Sequence, residues 1–231
     1  MKKLTISILI LLGTFSMASA EVGVKVGVSG ELGLMEAHAT EISSDGAVAD
    51  VKSSKREALF GKASYFIEKD LKFISLPIIN RISLGYDNIT HDLSLGTTTN
   101  HMVNRLSDKA SPESVDSTNT AKASITGFET VYATLNVFDW LYVKAGEVSV
   151  DVKTSETMAT GGIYPNASLD GTVFGVGIHT QTDNGWFSRL EMNDYSIDGT
   201  TLVNTGTDSK RSVKLSDVEG VTYSLKFGKS F

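Results

Sequence analysis

The chain has 231 residues, 21 basic against 27 acidic side chains, a formal charge of −6 and a mean hydropathy of −0.01. It has no cysteine, which excludes disulfide staples and thiolate metal sites, and its acidic balance argues against nucleic acid as a partner. Beyond the amino terminus no stretch approaches the roughly 20 apolar residues of a spanning helix, so if this chain enters a membrane it crosses as strands.

Lys2 and Lys3 precede the apolar run Leu4 to Leu12, and Ala18-Ser19-Ala20 supplies small residues that a signal peptidase accepts. Residues 1–20 therefore read as a secretory signal peptide cut after Ala20, and Glu21 opens a mature domain, 21–231, of net charge −8 once both lysines are gone. The first strand sets Val22, Val24, Val26, Val28, Leu32 and Leu34 against Gly23, Lys25, Gly27, Ser29, Glu31 and Gly33. This period of two is longer than the ~9 to 11 residues a tilted strand needs to cross a bilayer. A polar loop with an Asp45-Gly46 turn signal follows. The second strand alternates Leu59, Gly61, Ala63, Tyr65 and Ile67 with Phe60, Lys62, Ser64, Phe66 and Glu68.

After a short connection, a third strand alternates Ile78, Ile82, Leu84 and Tyr86 with Ile79, Arg81, Ser83, Gly85 and Asp87. Residues 88 to about 121 carry no strand pattern, though part of them could extend a hairpin. The fourth strand, about 122 to 137, gives Ala123, Ile125, Val131, Ala133 and Leu135 one face. Glu129 shares that face, which predicts a bulge near Gly127 that turns it inward. The fifth strand turns Leu141, Val143 and Ala145 outward against Tyr142 and Lys144. It then changes phase at Val148, Val150 and Val152, which predicts a second bulge near Gly146.

A loop over 153–170 leads to the sixth strand, with Phe174, Val176 and Ile178 on one face and His179 on the other. Asp183-Asn184-Gly185 supplies a tight turn. The seventh sets Trp186, Leu190 and Met192 against Arg189 and Glu191. A loop over about 196–217 precedes the last strand, where Val221, Tyr223, Leu225, Phe227 and Phe231 oppose Thr222, Ser224, Lys226 and Ser230.

Connections alternate long and short, and Tyr65, Trp140, Tyr142 and Trp186 gather near the short turns as an aromatic girdle. The fold predicted is all-β: a transmembrane antiparallel up-and-down β-barrel of eight strands, with short periplasmic turns and long extracellular loops.

The signal segment, the eight alternating strands and the ending Tyr223-Ser224-Leu225-Lys226-Phe227-Gly228-Lys229-Ser230-Phe231 resemble bacterial outer-membrane barrels of the OmpA-transmembrane-domain or opacity-protein class. The resemblance covers essentially the whole mature chain. It implies an outer-membrane location, contact with outer-membrane lipid and lipopolysaccharide, and delivery by periplasmic chaperones to the barrel-assembly machinery. Phe231 with Tyr223 or Phe227 would be the assembly signal. It implies a monomer with no cofactor, and nothing here carries the peptidoglycan-binding domain of full-length OmpA.

The inward parity collects Lys25, Glu31, Lys62, Glu68, Arg81, Lys144, Glu147, Arg189, Glu191 and Lys226. A bore of this size is filled by side chains, so these charges are expected to pair as a plug, the bases Arg81, Lys144, Arg189 and Lys25 low and the acids Glu31, Glu147 and Glu191 higher. The functional expectation is an envelope-stabilising barrel that displays loops. The alternative is a narrow porin-like channel for small solutes. A lipid-modifying enzyme is the least favoured reading, resting on Ser83, Ser94, His91 and Asp92 as the nearest nucleophile-base grouping. His38, His91, His101 and His179 lack metal-ligand spacing, and the acceptor patterns at Asn88 and Asn166 read as chance matches.

Overall fold

Alternation with a period of two lets one backbone present two unlike faces, and here it organises most of the described residues into antiparallel strands. The computed structural model describes residues 23–43, 50–105, 114–157, 162–206 and 211–231. Among them are strands β1 (Val24–Ser43), β2 (Asp50–Asp70), β3 (Ile82–Ile89), β4 (Leu93–Arg105), β5 (Ser114–Asn136) and β6 (Leu141–Thr157). They are followed by β7 (Ala167–Gln181), β8 (Trp186–Ile197), β9 (Thr200–Val203), β10 (Arg211–Leu215) and β11 (Val218–Ser230). The expected cleavage residues Ala18, Ala20 and Glu21 and the Asp45-Gly46 turn lie outside the described residues. No helix among those described is long and apolar enough to cross a membrane.

Hydrogen bonding runs as a ring, β1-β2-β3-β5-β6-β7-β8-β11, and β11 pairs back onto β1. Paired residues lead from Lys25 through Glu68, Gly85, Tyr132, Gly146, Val173, Tyr195 and Gly220, and return to β1 at Met35, ten residues above the start. A stagger of that size tilts the strands by roughly 40° and narrows the bore to side-chain width.

Three of the described strands stand outside the ring: β4 realises the hairpin extension that residues 88–121 allowed, and β9 and β10 were not expected. β4 pairs with β5 to prolong a hairpin as far as Arg105 and Ser114, while β9 and β10 pair with each other and dock on β1 through Ala39–Ser43. A cross-tie holds this upper region together, with Ile163 N and Gly206 N both donating to Asn204 Oδ1, at 2.9 and 2.8 Å. Strand three is shorter than expected, because Ile79–Arg81 form a single 3-10 turn before Ile82.

Both bulge expectations meet a definite outcome. The β5–β6 register shifts between Thr126 and Glu129, with Gly127 at φ +61°. The break turns Phe128 inward below it and Ile125 inward above it; Glu129 itself stays on the outer parity with Val131 and Ala133, half-buried, and accepts from Asn88 Nδ2 at 3.5 Å. Near Gly146 there is no shift. β6 runs straight from Leu141 to Val152 in register with β7, so Val148, Val150 and Val152 point into the interior and Glu147 points out.

Gly127→Ala should lower stability by about 1–2 kcal/mol, because an L side chain is strained at that φ. Urea unfolding followed by tryptophan fluorescence measures this, and an unchanged midpoint would mean the break does not depend on glycine.

Candidate functional site

The most unusual chemistry lies on the inner face, where strand parity and the narrow bore force charged side chains together. At the short-connection end, Lys25 Nζ lies 2.5 Å from Asp70 Oδ1, and the same carboxylate oxygen accepts from Ser83 Oγ at 2.6 Å. One level higher, Arg189 clasps Glu68 with two parallel bonds, Nη1 to Oε1 at 2.6 Å and Nη2 to Oε2 at 2.8 Å. Tyr132 OH adds a third at 2.9 Å. Such a fork-to-fork pair fixes geometry as well as charge.

Glu191 holds the next level. Its Oε1 accepts from Lys144 at 3.0 Å and lies 3.2 Å from Lys226 Nζ, and its Oε2 accepts from Tyr142 OH at 2.7 Å. Lys226 also reaches Asp87, at 3.6 Å. Above it, Glu31 pairs with Lys62 at 3.1 Å and accepts from Thr222 Oγ1 and from Tyr195 OH. Aromatic faces line the gaps: Lys62 Nζ sits 4.2 Å from the Phe128 ring centre, Lys144 Nζ 4.5 Å from that of Tyr132, and the Arg189 guanidinium 4.8 Å from that of Phe187.

Among the described residues the inner face of the ring thus carries five buried cations, Lys25, Lys62, Lys144, Arg189 and Lys226, and five buried carboxylates, Glu31, Glu68, Asp70, Asp87 and Glu191. The column is neutral, and every one of these charges faces an opposite charge within 4 Å.

Above it the interior becomes apolar, with Met35, Ile89, Leu93, Ile125, Phe128, Val148, Val150, Val152, Leu169, Val173 and Ile197 in one buried cluster.

Eight of the ten expected charges meet in this column and two do not. Arg81 belongs to the 3-10 turn, is exposed, and donates to Val137 O at 3.2 Å. Glu147 faces outward because β6 has no bulge. Bases and acids also do not separate by height, since Lys144 and Glu191 share one level. Tyr142 leaves the expected girdle as well: it is 1% exposed and bonded to Glu191, whereas Tyr65, Trp140 and Trp186 are exposed on the outside.

Asp70 and Asp87 were missed, although parity with Glu68 and Ser83 marked both. Tyr223, Phe227 and Phe231 lie exposed on the outer face. Ser83 sits at the opposite end of β3 from His91, so it does not join the suggested nucleophile-base grouping. His38 contacts Glu36 at 2.9 Å, His91 is exposed, His179 lies against the Tyr142 ring, and the His101 side chain is outside the described residues.

At the upper end of β1, the Lys55 ammonium and the His38 ring hydrogen-bond Glu36 and hold its carboxyl below the usual range. No three His, Cys, Asp or Glu side chains converge as metal ligands among the described residues.

A hydrogen-bonded ring of antiparallel strands, here ionised within and apolar without, is a β-barrel type of fold. No family model matches the chain, and no curated protein matches it in sequence. Among solved structures it is similar to OprG of Pseudomonas aeruginosa, at 11% identity and TM-score 0.45 over 91% of this chain and 97% of that one. It is also similar to the outer-membrane protease OmpT of Escherichia coli, at 9% identity and TM-score 0.41 over 95% and 100%. The attachment invasion locus protein Ail of Yersinia pestis matches at 10% identity and TM-score 0.33 over 87% and 99%. All three likenesses are remote.

Glu68→Ala should cost about 3–5 kcal/mol, because it strands the Arg189 charge in the bore. Glu68→Leu combined with Arg189→Leu should recover most of the loss. Urea titration of the refolded variants measures both, and a double variant that loses as much as Glu68→Ala would show that the stranded Arg189 charge is not the source of the loss.

Proposed function

We propose that the chain is an outer-membrane β-barrel whose eight ring strands cross the bilayer, with short turns in the periplasm and hairpins displayed outside. Its role is structural, stabilising the envelope and presenting loops, and it has no catalytic activity. The observation that carries this is the exposed outer face: Val28, Leu32, Leu34, Leu59, Phe174, Tyr223 and Leu225 are all between 49% and 76% exposed, beside a fully paired ionic interior. That inversion of inside and outside suits a hydrocarbon solvent.

On this reading residues 1–20 are removed, cleavage following Ala18-Ser19-Ala20. The aromatic ending at Phe231, with Tyr223 and Phe227, is read by the assembly machinery after chaperone delivery. The outer face meets lipid and lipopolysaccharide as a monomer. The neutral ionic column and the apolar cluster above it act in series as a seal.

A second reading, a narrow channel for small solutes, has one feature in its favour. The Asn193 amide and the Ser224 hydroxyl are buried mid-bore without a protein partner, which suits trapped water.

Membrane fractionation and gel mobility test the location: the protein should sediment with the outer membrane and run faster unboiled than boiled. Recovery in the soluble fraction would overturn the proposal. Planar-bilayer recording tests the seal. No stable steps are expected, and reproducible stepwise conductance altered by Glu191→Ala would establish the channel instead.

A further inference from the structure

The apolar outer belt is not the same height all the way round. On β1 it runs through Val26, Val28, Gly30, Leu32 and Leu34 before the first charge, Glu36. On β2 it reaches Leu59 before Glu57, and on β11 it reaches Val221 before Glu219. On β6, diametrically opposite β1 in the ring order, it holds only Leu141, Val143 and Ala145 before the exposed Glu147. Neighbouring strands stop at the same latitude: β5 at Glu129, β7 at Thr172 and β8 at Asp194. These polar residues are cross-strand neighbours, Asn88 with Glu129 and Glu147 with Thr172, and Thr172 with Ser196 beside Asp194. At the strand rise and tilt of this ring the belt is about 25 Å tall on β1 and about 12 Å tall on β6.

The interior supports the same line independently. Below this latitude the β5–β8 flank is apolar outside and charged inside, with Val143 beside Lys144 and Met192 beside Glu191. Above it the strands are reversed. Val150, Leu169, Val173 and Ile197 are buried in the bore, and Asp151, Asp170, Thr172 and Ser196 are exposed outside. That upper half has the patterning of a β-sheet in water. At the same latitude β1 and β11 keep the lipid pattern, with Leu32 and Val221 outside and Glu31 and Thr222 inside.

We infer that the bilayer thins against one flank of this barrel, its outer surface dipping from the level of Glu36 on β1 to that of Glu147 on β6. This rests on the outer-membrane reading above. The partner is the hydrocarbon of the surrounding lipid, at about half thickness along β5–β8 and full thickness along β11–β1–β2. Tilting the whole barrel would not serve. The short-turn end of the β5–β8 flank offers only the Phe138-Asp139-Trp140 turn and the polar turn Thr182-Asp183-Asn184, and a tilt would drag both into hydrocarbon.

The chain has no cysteine, so single nitroxide labels report cleanly. Five of the eight steps round the ring carry about six residues of the stagger, which places Thr172 on β7 level with Leu32 on β1. Leu32→Cys, Thr172→Cys, Asp139→Cys, Asp183→Cys and Val26→Cys are labelled in the refolded protein in dioleoylphosphatidylcholine vesicles. Collisions with dissolved oxygen are compared with those with an aqueous nickel chelate. Leu32 and Val26 should favour oxygen and Thr172, Asp139 and Asp183 the chelate, a reversal of sign between two sites at one height. Oxygen dominance at Thr172 would overturn the inference. Oxygen dominance at Asp139 and Asp183 would also overturn it, in favour of a tilted barrel. Chelate dominance at Leu32 and Val26 would remove the membrane reading itself, and this proposal with it.

Discussion

A ring of strands staggered by ten residues leaves a bore that side chains alone can fill, so a charge turned inward has no bulk water to return to. Each must find its counter-charge at its own height on another strand, in some cases one that is remote in sequence. Glu68 and Arg189 are 121 residues apart, yet they meet because β2 and β8 bring them to one level. Register therefore controls more than hydrogen bonding. A slip of one residue anywhere in the ring would put an ion into the outer medium and an apolar chain into the column, which makes the ionic interior a check on correct pairing. Its cost is desolvation, and the neutral balance of five cations and five carboxylates is what makes that cost bearable.

Period two made the ring strands readable where both faces keep their solvent. β1, β2, β8 and β11 alternate apolar with polar residues along most of their length, and eight of the ten inward charges follow from parity. The reading failed where an assumption about the interior failed. In β6 the phase change at Gly146 looked like a bulge because the bore was taken as polar throughout. In fact the backbone holds its register and the apolar and polar residues exchange faces, so Val148 enters an apolar cluster and Glu147 points out. Alternation tells which residues share a face, not which face meets water.

Other gaps have different physical origins. β4 is rich in threonine, serine and asparagine, and β9 and β10 are only four and five residues long, too short for an alternation to show, so pairing alone defines them. Arg81 had the right parity but stands in a 3-10 turn, where parity has no meaning. Tyr142 lies near a short turn, as a girdle residue should, but it shares parity with Lys144, and its hydroxyl is bonded to Glu191. Position along the strand suggested one role, and face decided the other.

The two halves of the interior are tied to what lies outside them. A barrel wall in lipid gains nothing by burying more apolar surface, since hydrocarbon already covers its exterior, so ionic pairing can specify the bore. A wall in water must bury apolar side chains somewhere, and the bore is the one place available. On β5 to β8 the changeover falls at Phe128, Val148, Val173 and Tyr195, each buried beside a polar residue, Glu129, Glu147, Thr172 or Asp194, on the outer parity. The inner and outer patterns switch at adjacent residues on four consecutive strands. On the proposed membrane reading, one boundary between lipid and water crossing that flank at that height would account for both switches at once, and the unbroken outward-apolar pattern of β1 and β11 at the same height would put it higher on the other side.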